Sequence, residues 1–570
     1  MIAKPLGWAL RTAIEPRRDF LSGLRRRFFL ETQLSSQRCP MSEEFSNDPV
    51  RIGPAARESG RSQEVAVLEK SYDEVPYPGG AHRVTHPSHI AMVAKLFGTA
   101  TADPQNCRVL ELGCSIGSNL LPMAESLPGS QFTGIDLSLA QIEQGKQLVA
   151  ASGLTNVELH ALDVTDLDAS FGDFDYILCH GVYSWVPPVV QEAIIDIGKR
   201  HLKPNGVQLV SYNTYPGWNL RNVVRDMMLY HTEGFDDPKQ KIGQSRALLK
   251  FLAKSTKGSY ESYMTLIQEE AKKLDKHGDY YLYHEHLEAQ NHPVYFHDFV
   301  RRVDAGGLRY LADTSVRSMV AQLFDEEAAE ILRGVPLLRR EQYMDFLSGR
   351  MFRSSLICHQ DIRPDYRAPS RNLRDLHIRL RAPLRINEEA EVGTIGEVVW
   401  EHPRGKLTTS EPITSVFRKL NEHRLVWTAI ADLLDEVTRE SNMLDVLMAS
   451  FVQGITVLAQ SPPALCAEIV ERPRCSEVAR MQAKRGSKVT NRVHDDVILQ
   501  PQQRLLVAEM DGQRTKDVLA EILCRAVEGR RLKVTRGGDD GNLPDLSQDL
   551  GRRIVDTEIE RLRNLNFLVA

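Results

Sequence analysis

Glycines and acidic residues recur at the ends of successive predicted strands in the first half of the chain. In the run VLELGCSIGSN, Glu111 stands two positions before Gly113, between a predicted strand and a predicted helix. Gly113 and Gly117 permit a sharp backbone turn, and the helix beyond presents free N–H groups to a ligand. Asp136 ends the next strand, where it can accept hydrogen bonds from ribose hydroxyls. The pattern predicts a nucleoside-type cofactor.

The loop also indicates which cofactor it binds. Dinucleotide sites use three glycines to make room for a pyrophosphate, and here the third glycine is missing. Glu111 is placed to neutralise the ammonium group of S-adenosylmethionine (SAM), whose uncharged linkage needs no such cradle. Asp163 closes the third strand and can accept a hydrogen bond from the adenine amino group. We therefore predict SAM as the cofactor, ahead of NAD and ahead of a purely structural role for the three acids.

Short apolar strands alternate with amphipathic helices from residue 108 to residue 213. This predicts a parallel sheet covered on both faces, a Rossmann-like α/β domain. Charged amphipathic helices follow, and then small α+β modules of winged-helix type. The predicted units are a disordered or leader segment (1–64), the SAM-binding domain (65–233), a helical domain with a strand returning to the first sheet near 352–362 (234–385), a small winged-helix-like domain (386–475), and a linker with a C-terminal module (476–570).

Several motifs resemble one enzyme family. They are SYDEVPYP and THP before the first strand, HGVYSWVP and YNTYPGW after the fourth and fifth strands, and HEHLEAQNHPVYFHDFV in the helical part. These resemble the class I SAM-dependent methyltransferases that carry a methyltransferase regulatory domain, a group that includes the rickettsial-type protein lysine methyltransferases. The resemblance covers roughly residues 65–365. Ser115 departs from it, because glycine is common there and serine accepts a positive φ poorly.

The resemblance and the glycine loop together imply a set of cofactor contacts along the first four strands. The predicted contacts are Tyr72, Thr85, Glu111, Gly113, Cys114, Gly117, Asn119, Asp136, Leu137, Asp163, Val164, His180 and Gly181.

The residues nearest the transferred methyl group are expected after the fourth and fifth strands. The motif that nucleobase amino-methyltransferases carry there is absent, which argues against DNA as the acceptor. Aromatic faces stabilise a sulfonium or ammonium cation by about 0.5–2 kcal/mol each, so we predict a channel for an aliphatic amine such as lysine. Its predicted residues are Tyr183, Trp185, Tyr212, Tyr215 and Trp218, with Tyr72 and Tyr77 from an N-terminal flap. A small-molecule methyltransferase and a non-catalytic SAM-binding protein remain the alternatives.

The composition is that of a globular protein and names no partner. Its 570 residues exceed one core, and 71 basic against 76 acidic side chains argue against a dedicated nucleic-acid binder. Eight scattered cysteines without a C-x-x-C pair favour a reduced, cytoplasmic chain, and no apolar run reaches the length of a membrane span. The predicted partner is a protein substrate, with no nucleic acid and no membrane span, and a homodimer is left open.

Two further features have competing interpretations. The basic first 40 residues fit a targeting peptide, a membrane-surface helix or a translated leader upstream of Met41, and we favour the leader. A cluster of histidines lacks the H-E-x-x-H spacing of zinc sites, so we predict no metal. These histidines are His284, His286, His292 and His297.

Overall fold

The computed structural model describes residues 71–569, apart from residue 73 and residues 76–78, 256–259, 389–395, 436–442, 530–531 and 533–545. The predicted leader segment (1–64) and Tyr77 lie outside the described residues. In the part of the chain that is described, no helix is long and apolar enough to cross a membrane.

A seven-stranded sheet with the order β3-β2-β1-β4-β5-β7-β6 forms the centre of the molecule. Strands β1 to β5 are parallel, and β7 runs antiparallel to both β5 and β6. The strands are β1 (Arg108–Leu112), β2 (Gln131–Asp136), β3 (Val157–Ala161), β4 (Phe174–Cys179), β5 (Leu202–Asn213), β6 (Leu308–Asp313) and β7 (Phe352–His359). The carboxyl ends of β1 to β5 and the start of β7 therefore meet at one edge of the sheet.

Both faces of this sheet are buried, as alternation along β4 shows. Tyr176 and Leu178 pack into one apolar cluster, whereas Ile177 and Cys179 pack into another on the opposite face. All six residues of β4 are buried. The predicted Rossmann-like α/β fold is confirmed.

Helices cover the sheet and fill the connections between its strands. Before β6 they are α1 (Pro87–Leu96), α2 (Leu120–Ser126), α3 (Leu139–Ser152), α4 (Pro188–His201), α5 (Trp218–Thr232), α6 (Pro238–Ser255), α7 (Glu261–Leu274), α8 (Asp279–Leu282) and α9 (Phe296–Ala305). Between β6 and β7 lie α10 (Glu326–Arg333) and α11 (Leu337–Ser348). Helices α5 to α8 enclose an apolar cluster of their own, with Val224, Met228 and Ile267 at its centre.

The division predicted at residues 233/234 does not follow the core. Strand β6 lies inside the region expected to be helical, and β7 pairs with both β5 and β6. The helices α5 to α8 are thus an insertion between two strands of one sheet. The helical hydrophobic pattern of residues 234–334 gave no separate signal for strand β6. That strand (Leu308–Asp313) is short and follows a helix directly.

A second α+β unit follows the sheet. It contains β8 (His377–Leu380), β9 (Arg385–Ile386), β10 (Val398–His402), β11 (Gly405–Thr409), α12 (Ile413–Glu422), β12 (Thr428–Ala429), α13 (Ile430–Asp435), α14 (Met443–Gln453) and β13 (Thr456–Ala459). Because β8 pairs with β12 and β13, the boundary predicted at 385/386 falls inside this unit.

The last unit has a separate apolar core. Its elements are α15 (Glu477–Arg485), β14 (Lys488–Thr490), β15 (Asp496–Ile498), α16 (Pro501–Glu509), α17 (Lys516–Glu528) and α18 (Gln548–Asn564). Strands β14 and β15 form an antiparallel hairpin. A bridge between Cys475 and Leu568 closes the unit at its two ends, so the unit begins just before the predicted boundary at 475/476.

Candidate active site

A cavity of about 430 Å³ opens where the carboxyl ends of β1 to β5 meet the start of β7. The sheet order arranges its lining residues in space. Asp163, Asp136 and Glu111 follow or end β3, β2 and β1, on one side. Trp185 and Trp218 follow β4 and β5, on the other side. We call these the cofactor side and the acceptor side of the cavity.

The glycine loop after β1 forms the floor of the cofactor side. Gly113 has φ +76°, and a Cβ atom there would lie 2.4 Å from Cγ2 of Val182. Gly117 has φ +75° and does not itself line the cavity; a Cβ atom there would lie 2.7 Å from Leu121. Both positions therefore require glycine, one beside the cavity and one for packing behind it.

Glu111 carries a carboxylate oxygen that no described residue satisfies. The residue is 5% exposed, and its Oε1 accepts a hydrogen bond of 2.7 Å from Nδ2 of Asn119. Its Oε2 has no hydrogen-bond partner in the described part of the chain. Burial raises the pKa of Glu111 to about 8, although the Asn119 hydrogen bond opposes that shift. A buried carboxylate with an unused oxygen is suited to a cationic ligand group.

Asp136 is held by the backbone on both sides. Its Oδ2 accepts from the Ser115 N–H at 2.8 Å, and its Oδ1 accepts from the Ser138 N–H at 3.0 Å. Ser115 has φ +52°, which lies in the left-handed region. This is the conformation that glycine adopts readily and serine poorly. A hydrogen bond of 2.5 Å between Oγ of Ser115 and Oε1 of Gln141 holds it there. A carboxylate oxygen can accept more than one hydrogen bond, so the chemistry of Asp136 suits a ribose hydroxyl.

The wall beyond β2 and β3 combines apolar and acidic side chains. Oδ1 of Asp163 accepts from the backbone N–H and the hydroxyl of Thr165, at 2.8 and 2.7 Å. Leu137 and Val164 line the cavity beside the two aspartates. This surface suits a flat heterocycle with an amino group at its edge.

Two stacked histidines separate the two sides of the cavity. The rings of His82 and His180 lie 4.1 Å apart, and burial lowers the pKa of His180 to about 3. The histidines are therefore neutral, which suits a place beside a cationic cofactor. Gly181 has φ +75°, and its N–H donates to Oγ of Ser211 at 2.8 Å.

On the acceptor side, aromatic rings meet an ion pair. Trp185 and Trp218 make an edge-to-face contact, with ring centroids 6.1 Å apart. The guanidinium of Arg221 lies 4.6 Å from the centroid of the Trp218 ring. It also donates to Oε2 of Glu285 at 2.5 Å, and Glu285 itself lines the cavity. This side can receive a cationic or amine group between aromatic faces and a carboxylate.

Three of the tyrosines predicted for the channel do not line the cavity. Tyr212 stacks on Phe299 at 4.2 Å, and its hydroxyl lies 3.1 Å from Oγ of Ser355. Tyr183 is buried against the same Phe299. Both tyrosines belong to the core beneath the cavity, which corrects their predicted catalytic role.

Tyr215 is also placed outside the cavity. Its ring packs against that of Tyr295 at 5.2 Å. Thr85 is a supporting residue, because its hydroxyl contacts the amide of Asn119 and does not reach the cavity.

The remaining predicted residues are brought together as lining residues. They are Tyr72, Glu111, Gly113, Cys114, Asn119, Asp136, Leu137, Asp163, Val164, His180, Gly181, Trp185 and Trp218. Sequence reasoning missed His82, Asn213, Arg221, Glu285 and Phe352, which also line the cavity. The signal that could have found Glu285 is its position four residues after Tyr281, another lining residue, because that spacing places two residues on one face of a helix.

Comparisons with known proteins agree with this geometry. A family model described as a methyltransferase domain matches residues 109–206. A second, described as a predicted methyltransferase regulatory domain, matches residues 278–359. A third, described as the PKMT C-terminal winged helix domain, matches residues 471–567. Apart from residues 471–475, the winged-helix match thus lies beyond the 386–475 range in which the sequence predicted such a domain.

Relatives match over most of the chain. The structure of PKMT2 from Rickettsia typhi is 31% identical, with a TM-score of 0.76, and the match covers 87% of this chain and 100% of that one. The same protein in complex with AdoHcy is 32% identical, with a TM-score of 0.75 and the same coverage. An uncharacterized protein of Rickettsia prowazekii is 34% identical over 491 residues, or 82% of this chain and 88% of that one.

The chain belongs to the PKMT family. It is a SAM-dependent methyltransferase, as the sequence predicted, with a class I catalytic domain, a methyltransferase regulatory domain and a C-terminal winged-helix domain. The residues of this PKMT family member fit SAM. The unsatisfied Glu111 oxygen suits the ammonium group, Asp136 suits the ribose, and the wall at Asp163 suits the adenine.

Bound SAM supplies a methyl carbon attached to a positively charged sulfonium. The protein's own contribution to transfer is mainly position and orientation, since a well-aligned pair of reactants removes most of the entropic barrier. Carboxylates hold one side of the cavity, and the rings of Trp185 and Trp218 form the other side. The stacked pair of His82 and His180 lies between them and adds no charge.

Proposed function

We propose that this PKMT family member methylates lysine side chains of a protein substrate. The observation that carries the proposal is the acceptor side of the cavity, where Trp185 and Trp218 lie beside the carboxylate of Glu285. A lysine side chain has an aliphatic stem and a cationic tip, and both match this lining. The likeness to PKMT2 of Rickettsia typhi supports the same substrate class.

The acceptor must lose a proton before it can attack. A free lysine has a pKa of about 10.4; removal of the amine from water on entering the cavity favours its neutral form, whereas the aromatic faces and a carboxylate favour the cation that binds first. Glu285 forms an ion pair with Arg221, which suits it to orienting the amine rather than to accepting its proton. We therefore assign it a binding role toward the lysine.

The direct test supplies purified protein with methyl-labelled SAM and a bacterial protein extract, followed by digestion and mass spectrometry. Label on lysine residues of one or a few proteins is expected. Asp136→Ala is the negative control, because it should lose the cofactor. Label only in the small-molecule fraction would contradict the proposal and favour a small-molecule acceptor. Absence of label while SAM binds would contradict it in favour of a non-catalytic binder.

A matched pair of variants tests the acceptor side. Glu285→Gln removes the charge that faces the lysine, whereas Asp279→Asn removes a charge on the exposed surface nearby, where Asp279 pairs with Arg246. The Glu285→Gln variant should raise the KM for the protein substrate by about tenfold, as expected for a charge-assisted contact, with little change in SAM affinity. An equal effect of the two variants would remove Glu285 from the lysine site.

Three predictions about the setting of the reaction belong to this proposal. A cytoplasmic location is supported by the described cysteines, which are all free and buried. Homodimerisation and the lack of nucleic-acid binding rest on the sequence alone. Cell fractionation, sedimentation and a nucleic-acid binding assay of the full chain would test them.

A further inference from the structure

The β14–β15 hairpin of the winged-helix domain reaches the cofactor side of the cavity. His494, in the turn of this hairpin, is 4% exposed, and its Nε2 lies 2.8 Å from Oδ1 of Asn119. The two residues are 375 positions apart in the chain. His494 has φ +61°, a backbone that non-glycine residues rarely adopt. A strained, buried polar residue that crosses between two units calls for a functional reason.

The direction of this hydrogen bond follows from the other partners of Asn119. Its Oδ1 faces the backbone N–H of His82 at 3.1 Å, and an N–H can only donate. Its Nδ2 lies 2.7 Å from Oε1 of Glu111, which accepts. The amide is therefore oriented, and Nε2 of His494 must carry the proton that it donates to Asn119. Burial, together with the nearby His86, holds the pKa of His494 well below its usual range, so the ring is neutral.

The same hairpin also holds the chain segment that closes the cofactor side. Nζ of Lys488 donates to the carbonyl oxygen of Gly79, and Oδ2 of Asp496 accepts from the N–H of Ala81 at 3.2 Å. Gly79 lines the cavity. The winged-helix domain thus contacts the cofactor side at several points, and among its described residues only His494 is hydrogen bonded to Asn119, the residue that orients Glu111.

We infer that His494 is a positioning residue for the SAM site, acting on Glu111 through Asn119. His494, His82 and the hydroxyl of Thr85 together fix the amide oxygen of Asn119, which aims its Nδ2 at one oxygen of Glu111. The other Glu111 oxygen is then held for the ammonium group of the cofactor. Loss of the His494 donor leaves the amide oxygen with two longer contacts, each of 3.1 Å, so the amide and the Glu111 carboxylate that it orients are less firmly held. The winged-helix domain completes the cofactor site in this way.

Two variants of equal shape separate the donor from the side chain's bulk. In His494→Gln the amide nitrogen is the same number of bonds from Cα as Nε2, so a donor remains, whereas His494→Met has similar length and no donor. Calorimetry of the full chain should give a Kd for SAM that rises about tenfold in His494→Met, the size of one lost buried hydrogen bond. The Kd should stay within about twofold of the unsubstituted protein in His494→Gln. Equal Kd values for the two variants would overturn the inference.

A double-mutant cycle tests the route through Asn119. On an Asn119→Ala background, His494→Met should change the Kd by less than about twofold, because the residue it acts through is gone. A full tenfold loss on that background would contradict the proposed route. The matched control is Glu125→Ala, which removes another contact with the winged-helix domain, where Oε1 of Glu125 accepts from the N–H of Glu477 at 2.5 Å. If Glu125→Ala lost as much SAM affinity as His494→Met, the docking of the whole winged-helix domain, and not the His494 contact, would be what maintains the site.

A measurement on the unsubstituted protein covers the case in which His494→Met does not fold. In ¹⁵N-histidine spectra of the full chain, the His494 signal is identified by its absence in His494→Gln. We expect a neutral ring protonated on Nε2, whose signal shifts when SAM is added. A ring protonated on Nδ1 could not donate to Asn119 and would refute the inference.

Discussion

The two sides of the cavity are built in different ways. The carboxylates of the cofactor side come from one run of the chain, from Glu111 to Asp163, and backbone N–H groups hold Asp136 and Asp163. The acceptor side joins Trp185, Trp218 and Glu285 from separate segments, and side chains hold one another there. A binding surface made by consecutive strand ends is thus encoded locally, whereas one made from an insertion depends on the packing of that insertion.

If the two sides of the cavity act separately, the largest loss of SAM affinity should come from a substitution on the cofactor side. Asp136→Ala removes the carboxylate that we propose forms charge-assisted hydrogen bonds to the ribose, and with it the acceptor for the Ser115 N–H. We expect the Kd for SAM to rise about 100-fold in calorimetry, since such bonds contribute about 1.5–3 kcal/mol each. Asp168→Ala, at an exposed 3-10 cap, is the control of the same residue type. A rise below about threefold for Asp136→Ala would exclude it from the site.

The affinity for SAM should depend on pH through the ionisation of Glu111, on the cofactor side of the cavity. Burial raises the pKa of Glu111 to about 8, and an ammonium group bound beside this carboxylate would lower that pKa. Below pH 8, binding must therefore expel a proton, so affinity should rise with pH between 6 and 8, by up to about tenfold per unit. Calorimetry in buffers of different ionisation enthalpy would detect the released proton. Proton release that persists in Glu111→Gln would assign it to another group.

On the acceptor side, a substitution should have a smaller effect, and it should change the KM for the protein substrate instead of the Kd for SAM. Trp218→Phe keeps an aromatic ring but loses part of the cation-binding face, which contributes about 0.5–2 kcal/mol. The KM for the protein substrate should rise about fivefold, while the Kd for SAM stays within about twofold. Steady-state kinetics with separate variation of the two substrates measures both. A parallel loss of SAM affinity would show that the two sides are not separable.

The smallest effect should come from a tyrosine that the sequence placed in the channel and the structure places beneath it. Tyr212→Phe removes only the hydroxyl contact with Ser355. Both KM values should change by less than about twofold, and the free energy of unfolding in urea should fall by about 1 kcal/mol. A large kinetic effect with unchanged stability would return Tyr212 to the catalytic site and break the comparison.

The difference between the two sides also explains which residues could be predicted. The spacing from Glu111 through Gly113 to Asp136 indicates a SAM site without any structure, because strand ends in a parallel sheet meet at one edge. Aromatic residues after β4 and β5 are equally easy to identify in the sequence, but the sequence does not show in which direction each side chain points. Trp185 and Trp218 face the cavity, whereas Tyr183 and Tyr212 face the core.

The domain boundaries show the same limit on a larger scale. The sequence predicts a Rossmann-like sheet and the strand near residue 352. It does not predict β6, which lies inside the segment expected to be helical. Pairing between β8 and β12 joins segments that the predicted boundary at 385/386 separates. Local patterns report periodicity within a segment, and hydrogen bonding between distant strands leaves no trace in that periodicity.

The sequence by itself determined the α/β class, the cofactor and the three acids that line the cavity, because each depends on residues within one strand-turn-helix unit. Only the tertiary structure decided which aromatic side chains form the acceptor side. It alone brought Glu285 to the cavity and His494 to Asn119, because both contacts join segments far apart in the chain. Local spacing specifies the chemistry of a strand end, whereas packing between distant segments specifies what stands opposite it.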